Sequence, residues 1–109
     1  MKRDNRASLM ILIEENDQLV MLAVSTNDYL NHLQTKGFTF REDSLGFIEF
    51  GKIYTASSDK LVNLAIETTL KAQIEFDGSF FIAVLEMFKA NNISSKKAAY
   101  KLLKEHNIL

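Results

Sequence analysis

Histidine is the side chain best suited to acid–base and metal chemistry near neutral pH, and the chain has two, His32 and His106. They lie far apart in the sequence, and neither has a spacing such as His-x-x-x-His that would hold a metal. We expect His32 to pair with Asp28 on a helix surface. His106 falls in the predicted last turn of the last helix, where a cation is favourable. We therefore predict no catalytic or metal-binding role for either histidine.

Other signatures of catalysis are missing from the sequence. The chain has no cysteine, which excludes a disulfide, a Cys-ligated zinc and a thiol nucleophile. Its glycines form neither Gly-x-Gly-x-x-Gly nor a P-loop, and no Gly-x-Ser-x-Gly is present. The sequence predicts a protein that is not an enzyme and that needs neither a cofactor nor a metal.

Carboxylates are the first group of side chains that could contact a partner. They form two sets, Glu14, Glu15 and Asp17 at a predicted hairpin tip, and Glu42, Asp43 and Glu49 around a predicted strand. Paired carboxylates can perform acid–base chemistry, but acids at a hairpin tip are normally only solvated. The alternative is an acidic protein-binding edge, which would suit a basic target such as a nuclease by charge complementarity.

Lysines near the C-terminus are the second group. Residues 79–109 carry five lysines and two glutamates, although the whole chain has a net charge of −1. The candidates for contact with an anion or a nucleic acid are Lys96, Lys97, Lys101 and Lys104. Lys96 and Lys97 fall in the predicted first turn of the last helix, where the helix dipole disfavours cations. A bound phosphate or an acidic partner would offset this unfavourable interaction. A solvated lysine face is the simpler interpretation, because the helix lacks arginine for base reading.

Aromatic side chains are the third group, with eight phenylalanines and three tyrosines. This number is large for one small core, although most should be buried. Neighbouring residues in a strand or helix cannot all face the same core. The sequence therefore indicates Phe47 with Phe50, and Phe80 with Phe81, as candidates for a dimer or partner interface.

The first half of the chain predicts strands and one short helix. Two apolar runs flank Glu-Asn-Asp-Gln and predict a hairpin with strands at 8–15 and 18–24, with a helix as the competing interpretation. Helix N-cap residues and a following apolar stripe predict a helix over 26–36. Alternating residues over 38–41 and 46–55 predict a second hairpin.

The second half predicts three helices. The first begins at Ser57, Ser58 or Asp59 and ends near Glu75, the second covers 79–91, and the third ends near His106 after a cap at Ser94 or Ser95. Polar residues on the first helix predict a solvent-facing stripe made of Lys60, Asn63, Glu67, Lys71 and Glu75. The second helix is apolar nearly all round, which predicts burial or an interface. The last two helices resemble a helix-turn-helix in outline.

These patterns predict a single domain over 1–109, with a flexible segment at 1–7. The predicted fold is α+β, with a small antiparallel sheet from the N-terminal half packed against two to three C-terminal helices. The longest apolar runs are too short to span a membrane, and we expect a cytoplasmic protein. We predict a non-enzymatic inhibitor, immunity protein or regulator that occupies a partner protein's surface. The alternative is a nucleic-acid-binding regulator that uses the C-terminal helix pair. A homodimer is a further possibility that the sequence leaves undecided.

Overall fold

A computed structural model of the chain describes residues 20–73 and 75–108, which form helices joined by loops. Residues 20–23 are helical. They are followed by α1 (Thr26–Thr35), α2 (Glu42–Thr55), α3 (Asp59–Ala72), α4 (Gly78–Ala90) and α5 (Lys96–Glu105). Because the described residues contain no strand, the predicted α+β fold with an antiparallel sheet is wrong.

The predicted hairpins fail in the part of the chain that the structure describes. Residues 20–23 of the first hairpin are helical, and α2 covers the whole of the 46–55 strand. The alternation over 46–55 was misleading because each side of that strand would have mixed apolar and charged residues. The strand predicted at 8–15 and the flexible segment predicted at 1–7 lie outside the described residues.

The predicted helices are confirmed, and their starts follow from local capping. Ser25, Ser58, Asp77 and Ser95 each accept a hydrogen bond from the backbone N–H three residues later, at 3.0 to 3.2 Å. Such a cap satisfies one of the N–H groups that a helix start leaves without a partner. The signal lies within four residues, so it can be found in the sequence without knowledge of the packing.

The most buried helix of the described domain is α3. Every residue from 61 to 70 is buried, and α3 packs against α1, α2 and α4. Two members of the stripe predicted to face solvent, Asn63 and Glu67, have no exposed surface. The prediction is therefore wrong at these two positions, whereas Lys60 and Glu75 are exposed as predicted. Asn63 Nδ2 instead donates to the carbonyl oxygens of Met21 and Val24, at 3.0 and 3.1 Å, and so ties the 20–23 segment to α3.

Helix α2 is held against α4 by a close approach at a glycine. Ser44, Ile48 and Gly51 lie at helical spacing and form the buried side of α2. A Cβ at Gly51 would lie only 2.9 Å from Phe81 Cε2 and 3.3 Å from Leu85 Cδ2. A larger residue here would push the two helices apart. This contact turns the opposite face of α2 outward. No helix among the described residues is long and apolar enough to cross a membrane.

Candidate protein-binding site

The outward face of α2 exposes large apolar side chains. Within the described residues, five large hydrophobic side chains are more than a third exposed, and four of them are on α2. Their exposed fractions are 41% for Phe47, 54% for Phe50, 71% for Ile53 and 64% for Tyr54. We call these four residues the α2 apolar face. Single exposed hydrophobic residues are normal on protein surfaces, but a contiguous set marks an interaction site.

Packing fixes the position of the α2 apolar face. The rings of Phe50 and Tyr54 stack one turn apart, with their centroids 5.3 Å apart and their planes 12° from parallel. Phe47 rests on the start of α4, because a Cβ at Gly78 would overlap its ring. The α2 apolar face is thus built on one regular helix.

Acidic residues border the α2 apolar face, and two of them are not neutralised. Asp43 forms an exposed ion pair with Arg41, whose Nη2 lies 2.8 Å from Asp43 Oδ2. The hydrogen bond from Arg41 lowers the pKa of Asp43. Glu42 and Glu49 are exposed and form no ion pair with any described residue. The rim of the face therefore carries net negative charge.

A groove of about 460 Å³ lies beside the α2 apolar face. Its walls come from the start of α1, from α2 and from the start of α3. Glu49 and Ile53, which lie on the exposed side of α2, also line the groove. Asp59 lies within it and accepts hydrogen bonds from Thr26 Oγ1, at 3.0 Å, and from Lys52. The hydrogen bond from Lys52 lowers the pKa of Asp59, so this carboxylate is charged at neutral pH.

A second polar cluster is buried between α3 and α5. The Tyr100 hydroxyl donates a hydrogen bond to Glu67 Oε1 and accepts one from Lys71 Nζ at 2.7 Å. Lys71 Nζ lies 3.9 Å from Glu67 Oε1, and Lys96 Nζ lies 5.2 Å from the centre of the Tyr100 ring. Burial raises the pKa of Tyr100, with a further contribution from the Glu67 carboxylate. We assign this cluster to stability, because Glu67 has no exposed surface through which a substrate could reach it.

The structure brings together part of the predicted contact residues. Five of the predicted protein-binding residues lie on the exposed side of α2, namely Glu42, Asp43, Phe47, Glu49 and Phe50. The predicted set at 14, 15 and 17 lies outside the described residues. Sequence reasoning missed Ile53 and Tyr54 as members of the face. The spacing of Phe47, Phe50 and Tyr54, three and then four residues apart, was the signal that could have found it.

The four predicted lysines of α5 differ in their exposure. Lys97, Lys101 and Lys104 are exposed, whereas Lys96 is partly buried over Tyr100. His32 is half-buried on α1, and His106 is exposed at the end of α5. No group of three or more metal-binding side chains occurs in the described parts of the chain. The nucleic-acid interpretation of α5 stays a prediction.

Residues 20–73 and 75–108 define a small helical domain, without strands in these ranges, that has an exposed apolar helix face. A family model described as a family of unknown function, DUF6123, matches residues 21–109, and the chain belongs to this family. No curated protein and no solved structure matches the chain.

Proposed function

We propose that the protein is a non-enzymatic regulator or inhibitor that binds another protein through the α2 apolar face. The observation that carries this proposal is the exposure of Phe47, Phe50, Ile53 and Tyr54 on one helix. A helix that lies in a partner's groove uses apolar anchors three, four and seven residues apart. Phe47, Phe50 and Tyr54 have this spacing.

The size of the effect supports binding rather than incidental exposure. Full burial of one such side chain contributes about 1.5–3 kcal/mol, and each of the four still exposes more than a third of its surface. Aromatic residues at the centre of an interface carry much of its binding energy. Phe50 and Tyr54 stack on each other, so fixing their side chains in a complex should cost less conformational entropy than fixing two separate exposed rings.

The rim indicates the chemistry of the partner. Glu42 and Glu49 leave the edge of the α2 apolar face negatively charged, so we propose a partner groove that is apolar and flanked by lysine or arginine. Rim charges mainly set the rate and specificity of association, and the apolar centre sets its lifetime. We place this interaction in the cytoplasm, whose reducing conditions suit a chain without cysteine.

Site-specific crosslinking tests the proposal. A photoreactive benzoylphenylalanine replaces Phe50 in cells that make the protein, and the same group replaces exposed Ala83 on α4 as the matched control. We expect position 50, and not position 83, to crosslink one protein. That protein is then purified, and its Kd for the wild-type chain is measured by calorimetry.

The variant Phe50→Glu should weaken this Kd by about 30-fold or more, which corresponds to about 2 kcal/mol at an interface hot spot. Glu105→Gln, an exposed change on α5, should leave the Kd unchanged. Both variants should keep the wild-type melting temperature, because residues 50 and 105 are exposed. Crosslinks from position 50 only to a second copy, only to residues 1–19 of the same chain, or to nothing would overturn the proposal.

A further inference from the structure

We infer that the groove between α1 and α2 receives an arginine or lysine side chain of the partner protein. This inference rests on the proposed function and identifies the residue type that anchors the partner beside the α2 apolar face.

The walls suit an alkyl chain. Leu30 contributes from α1, and Leu45, Ile48 and Ile53 contribute from α2. The methylene groups of lysine and arginine pack along apolar surfaces of this kind while the charged end stays solvated. The groove also has room for the whole side chain, since its volume of about 460 Å³ is within the range of small-ligand sites.

The charges suit a cation at the end of that chain. The groove holds the carboxylates of Glu49 and Asp59 against one ammonium group, that of Lys52. Lys52 and the Thr26 hydroxyl both hydrogen-bond to Asp59 Oδ1, and the backbone of Thr26 also contributes a hydrogen bond to this carboxylate. Glu49 forms no ion pair with any described residue. One unpaired carboxylate, that of Glu49, and one net negative charge are therefore available.

The position joins the groove to the proposed interface. Ile53 belongs to the α2 apolar face and also lines the groove, so a helix lying on that face would pass its mouth. The same partner can therefore place an apolar stripe on α2 and one cationic side chain beside it. Such a bordered pocket is the usual setting of an interface hot spot.

Small probes test the groove without knowledge of the partner. Backbone amide NMR spectra of the full chain are recorded with n-butylguanidinium and n-butylammonium chloride at constant ionic strength, and with n-butanol as the uncharged control. We expect the cations to shift the amides of Thr26, Glu49 and Ile53 saturably, with a Kd of about 10 mM for ligands this small. Butanol at the same concentrations should bind at least 5-fold more weakly.

Two variants should change the affinity for butylguanidinium in opposite directions. Glu49→Gln should weaken the binding of butylguanidinium at least 3-fold, because it removes the unpaired carboxylate. Lys52→Met should strengthen it at least 3-fold, because it removes the competing ammonium and frees Asp59. Glu105→Gln is the matched control and should change nothing, and melting temperatures confirm that each variant is folded.

The groove inference is overturned if neither cation binds, if butanol binds equally well, or if Glu49→Gln has no effect. Its failure is separate from that of the proposed function. Loss of probe binding would leave the crosslinks from position 50 intact. Probe binding together with the absence of a partner at position 50 would retain the groove as a cation site and remove the protein-binding function.

Discussion

Tyr100→Phe should lower the stability of the domain far more than the loss of one exposed hydroxyl would. The Tyr100 hydroxyl donates to the carboxylate of Glu67, which has no exposed surface. No other described residue donates a hydrogen bond to Glu67 Oε1, and Glu67 Oε2 has no hydrogen-bond partner. Removal of the hydroxyl leaves Lys71, 3.9 Å from Oε1, as the remaining polar neighbour shown for this carboxylate.

The magnitude follows from the burial of Glu67. A hydrogen bond to a charged group contributes about 1.5–3 kcal/mol, and a buried acceptor left without its donor costs about 1–3 kcal/mol, or more when it is charged. Because Lys71 stays near Glu67, we expect the free energy of unfolding to fall by ~2–4 kcal/mol. At about 4 °C per kcal/mol for a domain of this size, the melting temperature should fall by ~8–16 °C. Urea unfolding followed by circular dichroism measures the first quantity, and calorimetry measures the second.

Tyr54→Phe is the matched control, because Tyr54 is 64% exposed and its change should stay within about 0.5 kcal/mol. Glu67→Gln and the double variant complete a cycle. The loss in the double variant should be smaller than the sum of the single losses by at least ~1 kcal/mol, since the two groups contact each other. A Tyr100→Phe protein as stable as the Tyr54→Phe control, or a strictly additive cycle, would refute the assignment of this cluster to stability.

Two further predictions concern pH and helix packing. Above about pH 10 the unfolded chain releases the Tyr100 proton, whereas burial and Glu67 raise the pKa of Tyr100 in the folded protein. The unfolded state then binds fewer protons, so the free energy of unfolding falls with pH by up to ~1.4 kcal/mol per unit. Burial lowers the pKa of Lys71, whose titration affects stability with the opposite sign below about pH 10.4. Because Lys71 also donates to the Tyr100 hydroxyl, wild type and Tyr100→Phe are compared above that pH. Their stability difference should narrow between about pH 10.5 and 12, and a constant difference in urea titrations would contradict this. Gly46→Ala, in open space on α2, should stabilise by ~0.5–1 kcal/mol, whereas Gly51→Ala should destabilise by about 1 kcal/mol or more because its Cβ meets Phe81. If both substitutions changed the free energy of urea unfolding in the same direction, the described contact between α2 and α4 would be wrong.

The correct sequence predictions were those that depend on local chemistry. The starts of α1, α3 and α5 follow from predicted caps that bond within four residues, whereas Asp77, which caps α4, was not predicted as a cap. Helix α2 was missed because Arg41 at its N-cap makes no capping hydrogen bond and because Gly46 and Gly51 lower its intrinsic helix propensity. Packing on α4 at Gly51 supports the helix, and the residues that make this contact lie about 30 positions further along the chain.

The burial of Glu67 was hidden for a different reason. Asn63, Glu67 and Lys71 repeat every four residues, as the solvent side of a surface helix does. What distinguishes them is a partner 33 residues away, the Tyr100 hydroxyl, together with the carbonyl groups of Met21 and Val24. The contact residues on α2 were found in part, because acids and aromatic residues keep their chemistry in either backbone state. Their grouping on one face required the helix.

The binding groove and the buried polar cluster share α3 but should act independently. Asp59 is the first residue of α3 and lies in the groove. Glu67 lies eight residues further along α3, which is about 12 Å at the rise of an α-helix. Substitutions this far apart without shared partners are usually additive. Tyr100→Phe should therefore reduce stability without changing the affinity for butylguanidinium, and Glu49→Gln should do the reverse. A coupling above about 0.5 kcal/mol between these two changes would mean that the cluster positions the groove, and that the stability role assigned to Glu67 is incomplete.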